Sequence, residues 1–136
     1  LVKIPGHVCR YKSMNIQQYW AAAVAQDASH MRTFFHTDAI IRWHNTNEQF
    51  TVEEFLRANC EYPGTWYGEL DRTEQLGDLL ISVAHIYSVE PAESHHVVCF
   101  MQLKDDRIAA MDEYWGEDSA APQWRLDKAI GTAIKS

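Results

Sequence analysis

The sequence predicts an α+β fold, with helices first and a curled antiparallel β-sheet after them. Three observations carry this reading. Apolar residues recur at helical spacing only before Pro63, the pattern turns strand-like after Gly64, and the strand-like runs are joined by short turn-type links.

Asn15, with Gln18 three residues later, forms a cap with a reciprocal partner at the start of a first helix. Ile16, Trp20, Ala23 and Val24 follow as its apolar stripe, which closes on Asp27. Asp27 caps a second, shorter helix that runs to Phe35, with Met31, Phe34 and Phe35 inward. Residues 38–44, rich in isoleucine and tryptophan, read as a strand. Thr51 and Glu54 form a T-x-x-E capping box, and Phe50 is placed to staple onto Phe55, so a helix is expected over 52–62. Pro63-Gly64 stops it. Four β runs follow at 66–74, 79–89, 95–104 and 107–115. Gly77-Asp78, Glu90-Pro91 with its neighbours, and Asp105-Asp106 separate them, so they form an antiparallel meander.

A chain of 136 residues with 46% hydrophobic and 23% charged side chains is long enough and apolar enough to bury a core. Twelve basic against nineteen acidic residues give a net charge of −7, which argues against nucleic acid as a partner. No apolar run approaches the roughly 20 residues that span a bilayer, so no membrane insertion is expected. Lys3, Arg10 and Lys12 precede no long apolar centre, so the first residues do not read as a signal peptide. Residues 1–13 are taken as an extension, with Met14 as a candidate start, and 14–136 as one domain. Cys9, Cys60 and Cys99 are odd in number and widely spaced, which describes a reduced, cytoplasmic chain better than a disulfide framework.

The two-residue link Asp105-Asp106 pairs Lys104 with Arg107, and the remaining pairs follow by counting. One face then holds Met101, Cys99, Asp112, Val97 and Tyr114; the other holds Phe100, Met111, Val98, Glu113 and Trp115. Both faces are apolar, so one is covered by the helices and the other by a partner subunit, which predicts a homodimer through the sheet. Asp112 is the odd residue on the more enclosed face, where a carboxylate must be paired or partly neutral. If Val89 lies opposite His95, His85 joins Cys99 and Asp112 on that face. His95-His96 point to opposite faces, so at most one could join Cys99, and no metal site is expected.

These elements, together with the stretches around Trp43-His44-Asn45, Phe50 to Phe55, Asp112-Glu113-Tyr114-Trp115-Gly116-Glu117-Asp118 and Pro122-Gln123-Trp124-Arg125, resemble the nuclear-transport-factor-2-like superfamily, in particular its SnoaL-like, polyketide-cyclase-like branch. The resemblance implies a cone-shaped fold. It also implies a site at the cone mouth, at Trp20 on the first helix, Trp43 and His44 at the strand end, and Asp112 on the last strand. Ketosteroid-isomerase-like members would place a carboxylate base where this chain has Trp43-His44. SnoaL-type cyclases pair a histidine on the penultimate strand with an aspartate on the last, whereas Cys99 stands opposite Asp112 here.

Two functional readings follow. In the first, the chain is a cofactor-independent isomerase, cyclase or dehydratase acting on a small apolar or cyclic molecule. His44 or His85 would move the proton and Asp112 would orient it or act as the acid. Trp20, Trp43, Trp66 and Tyr114 would wall the pocket, with Asn45 and Cys99 also contacting the ligand. In the second, the same cone binds a ligand or a partner without chemistry, His44, Asn45 and Glu48 form a structural network, and the tryptophans are core.

Overall fold

The computed structural model describes residues 14–135, and the extension expected over 1–13 lies outside them. Helix α1 (Ile16–Val24) starts where Asn15 Oδ1 accepts the Gln18 N–H at 3.0 Å, and it buries Tyr19, Trp20, Ala22 and Ala23. Asp27 accepts from His30 N–H and opens α2 (Ala28–Arg32), which buries Met31. This helix is shorter than expected because Phe35 already belongs to strand β1 (Phe35–Trp43), where it pairs with Ile108. A turn through Asn47, in the left-handed region at φ 58°, leads to a strand the sequence did not signal, β2 (Glu48–Phe50). Three residues are too few to show a period.

Helix α3 (Val52–Cys60) carries the full capping box. Thr51 N–H donates to Glu54 Oε1 at 2.9 Å, and Glu54 N–H donates to Thr51 Oγ1 at 3.2 Å. Phe50 and Phe55 lie with ring centroids 6.5 Å apart, as a staple requires. Strands β3 (Trp66–Leu76), β4 (Leu79–Ser88), β5 (Glu93–Lys104) and β6 (Arg107–Glu117) form the expected antiparallel meander. The six-stranded sheet runs β2-β1-β6-β5-β4-β3, with β1 parallel to β6. Helices cover its inner face, where Tyr19, Met31, Ile41, Phe55, Val97, Met101, Ile108 and Met111 are buried.

Two register findings correct the sequence reading. Asp105 and Asp106 both have positive φ, and Lys104 pairs with Arg107 and Leu103 with Ile108 as counted. Beyond that point Gln102 faces Ala110, so Ala109 is an extra residue on β6. A one-residue bulge reverses every side chain after it. Cys99 therefore faces Glu113, Phe100 faces Asp112, and Glu113 rather than Asp112 lies on the enclosed face, 2% exposed. At the other hairpin Ser88 faces Glu93, so His85 pairs with His96 and sits on the outer face, not beside Cys99.

After β6 the chain forms α4 (Gln123–Asp127), which buries no side chain. Its end is well made. Ile130 N–H donates to the Arg125 carbonyl and Ala129 N–H to the Leu126 carbonyl, both at 3.0 Å, with Ala129 left-handed at φ 54°.

Candidate functional site

A cavity of about 280 Å³ opens between α1 and the inner sheet face. Its wall is contributed by many elements: Trp20, Ala23 and Val24 from α1, Trp43 from β1, Asn45 and Thr46 from the next turn, and Asn59 and Tyr62 in and after α3. Trp66, Ile86, His95 and Trp115 complete it from β3, β4, β5 and β6, together with Gln26. Gly68 lets the helix approach this closely. A Cβ there would lie 2.9 Å from Val24 Cγ1 and 3.1 Å from Ile86 Cδ1, both part of the wall.

Most polar groups around the cavity are committed to the protein itself. Gln26 Nε2 donates to the carbonyls of Asn59 and Tyr62, and Asn59 Nδ2 donates to the carbonyl of Ala23. Asn45 clamps the backbone of Trp115 on both sides, donating to its carbonyl and accepting its N–H at 2.6 Å. Trp20 Nε1 donates to Ser82 Oγ at 3.1 Å, and Trp66 Nε1 donates to the Pro63 carbonyl. The buried Nε1 of Trp115 has no hydrogen-bond partner of ordinary geometry among the described residues. His95 stands edge-on to Trp115, centroids 6.0 Å apart, with one ring nitrogen 3.2 Å from Glu93 Oε1. The Trp115 N–H is buried beside Glu113, so the His95 ring and the Tyr62 hydroxyl are the lining groups with hydrogen-bonding capacity left over among the described residues.

Behind Trp43 and Trp115 lies Glu113. Trp43 Nε1 donates to its Oε1 at 2.6 Å. Burial raises this carboxyl from the ordinary 4.5 to about 7, while Trp43, Trp115 and Cys99 pull the other way. Trp115 acts on it through proximity, without a hydrogen bond of normal geometry. The Cys99 thiol, fully buried, is pushed well up by burial and then by the charge of Glu113, so it is held as the unreactive thiol.

The structure gathers four of the expected wall residues, Trp20, Trp43, Asn45 and Trp66, around the cavity. Cys99 is buried in the core instead, and Tyr114 lies on the outer face, 46% exposed. The three expected catalytic side chains are also outside. His44 Nε2 meets Asp112 Oδ1 at 2.7 Å, Arg42 approaches the same carboxylate at 3.6 Å, and the His44 ring stacks on Tyr114 at 4.3 Å. His85 sits in a second outer-face network, with Nδ1 3.1 Å from Glu69 and Nε2 2.8 Å from Ser94 Oγ. Ser94 Oγ in turn donates to Asp118 at 2.6 Å, and His96 stacks on His85 with Nδ1 on Asp118. Sequence reasoning missed Glu113, Trp115 and His95 as site residues. The alternation does group Glu113 with Trp115, but it took an unseen bulge to turn that group inward. Among the described residues no set of three or more His, Cys, Asp or Glu side chains is placed to hold a metal ion.

No protein-family model matches the chain, and no curated protein matches it in sequence. Solved structures do match. A candidate ketosteroid isomerase from Kribbella flavida is 19% identical, with a TM-score of 0.73 over 89% of this chain and 87% of that one. An NTF2-like protein of unknown function from Burkholderia xenovorans is 20% identical, with a TM-score of 0.70 over 82% and 88%. A candidate SnoaL-like polyketide cyclase from Shewanella putrefaciens is 14% identical, with a TM-score of 0.57 over 70% and 73%. At these identities the likeness speaks for the fold alone.

Proposed function

With the nuclear-transport-factor-2-like fold as premise, we propose that the cavity binds a small apolar or cyclic organic molecule and that the chain acts on it by acid–base chemistry without a cofactor, as an isomerase, cyclase or dehydratase. One observation carries this. Indole walls enclose a space most of whose polar groups are committed to the protein, leaving the His95 ring and the Tyr62 hydroxyl to meet a guest. The Tyr62 hydroxyl would donate to an oxygen of the ligand, and His95 would take or return a proton of the ligand. Glu113, behind Trp43, fixes that indole and acts as a positioning residue.

A second reading has its own support: Glu113 is screened from the cavity, and a chain that only binds would need no more than the indole walls. A homodimer through the outer sheet face belongs to the same proposal, supported by the half-buried Ile81, Val83, Val98 and Phe100 there. So does a reducing compartment, in keeping with the free thiols Cys60 and Cys99.

A thermal-shift screen with cyclic ketones, enones and lactones tests the cavity, followed by turnover assays on every compound that binds. His95→Gln is expected to keep binding and to lower turnover by about 100-fold or more. Binding without turnover by the wild-type chain would leave the binding-module reading, and no shift with any compound would overturn both.

A further inference from the structure

The C-terminal segment 119–135 carries large apolar side chains that the described residues leave open. Trp124 is 57% exposed, Leu126 55%, Ile130 54% and Ile134 100%. It is nevertheless regular, because α4 ends in paired backbone hydrogen bonds that satisfy its last carbonyls. A helix of one or two turns is marginal in water and draws its stability from burying a face. No face of α4 is buried among the described residues.

The same chain presents a surface of matching character. Ile81, Val83, Val98 and Phe100 stand half-buried on the outer sheet face. Charge agrees as well. Segment 119–135 has three basic residues and one acidic, a net +2, which leaves −9 for the rest of a chain of net −7. Arg125, Lys128 and Lys135 form no ion pair among the described residues, while Glu69 and Asp112 lie on the outer face. The root of the segment is fixed to the sheet, since Asp118 N–H donates to the Ser94 carbonyl at 2.9 Å and its carboxylate is held by Ser94 and His96.

We propose that segment 119–135 of one copy docks on the outer sheet face of a second copy, and that the exchange is reciprocal. A two-fold axis satisfies both open surfaces at once, which the described residues of a single chain do not do for themselves. The inference rests on the proposed homodimer and names the element that holds it together.

Sedimentation velocity on the full chain, on a chain ending at Asp118, and on a Trp124→Ala/Ile130→Asp variant tests it. The full chain is expected to be dimeric, and both variants are expected to raise the dimer Kd by about 100-fold or more. The double variant guards against misfolding of the shortened chain. If the variants dimerise as tightly as the full chain, the docking proposal is overturned and the sheet dimer stands; a monomeric full chain overturns both. Carbodiimide cross-linking of mixed isotope-labelled and unlabelled protein identifies the occupant. Links from Lys128 or Lys135 to Glu69 or Asp112 are expected between labelled and unlabelled copies. Links confined to one copy, for instance to residues 1–13, would overturn the exchange.

Discussion

Glu113 shows what one buried carboxyl does to its surroundings. Its pKa is raised by burial to about 7, so the folded chain holds this proton more tightly than the unfolded chain, whose glutamate titrates near 4.5. The sign follows directly. Below about 4.5 both states are protonated and Glu113 costs nothing, whereas between there and about 7 only the folded state holds the proton, so stability falls as pH rises. Glu113→Gln keeps an oxygen for the Trp43 N–H and removes the charge. It is expected to stabilise the protein at pH 8 by up to about 3 kcal/mol and to change little at pH 4. Urea unfolding at the two pH values checks this; equal effects at both would show that the residue is not desolvated as described. Glu113 was readable in the sequence as a charge among apolar neighbours, but so was Asp112, and alternation alone cannot decide between adjacent residues. The decision lies in one backbone irregularity that composition does not mark.

That irregularity belongs to the strand β6 and its hairpin with β5. Asp105-Asp106 signalled the turn correctly, and the first two pairs follow from it. Ala109 then adds one residue, and β1 shifts its own register against β6 between Phe35 and Ile40, beside the same place. Both departures answer a tertiary demand, the bending of the sheet around the helices, which is why neither has a local signature. Deleting Ala109 would restore the simple count, turning Asp112 and Tyr114 inward and Glu113 and Trp115 outward. The expected outcome is loss of the cooperative unfolding transition, a cost of more than about 4 kcal/mol. A deletion variant with wild-type stability would mean that the bulge can move along the strand without consequence. The capping box at Thr51 is the opposite case. Its whole mechanism lies within four residues, so the sequence specified it completely.

At the scale of the molecule, the strand meander that follows Gly64 was legible because, past the capped helix, the strand period holds an uninterrupted stretch of chain. The site was half legible: the tryptophans announce an apolar wall, while the polar groups meeting it depend on register. What brings wall and floor together is the approach of α1 to β3 at Gly68. Gly68→Ala is expected to cost about 1 to 2 kcal/mol by pressing on Val24 and Ile86. It should also weaken any ligand of the cavity, and denaturant unfolding with and without that ligand would expose a neutral outcome. The parallel seat of β1 beside β6 was not legible, because the partners lie at opposite ends of the fold. That seat has a consequence in time. A nascent chain delivers β1 early and β6 late, so β1 can pair at once with β2, but its other edge, at Ile40 and Ile41, must wait until the meander exists to receive it. During that interval the open edge of β1 is a template for a wrong strand, and Asp38 and Arg42, on either side of the isoleucines, place charges of the kind that discourage such pairing.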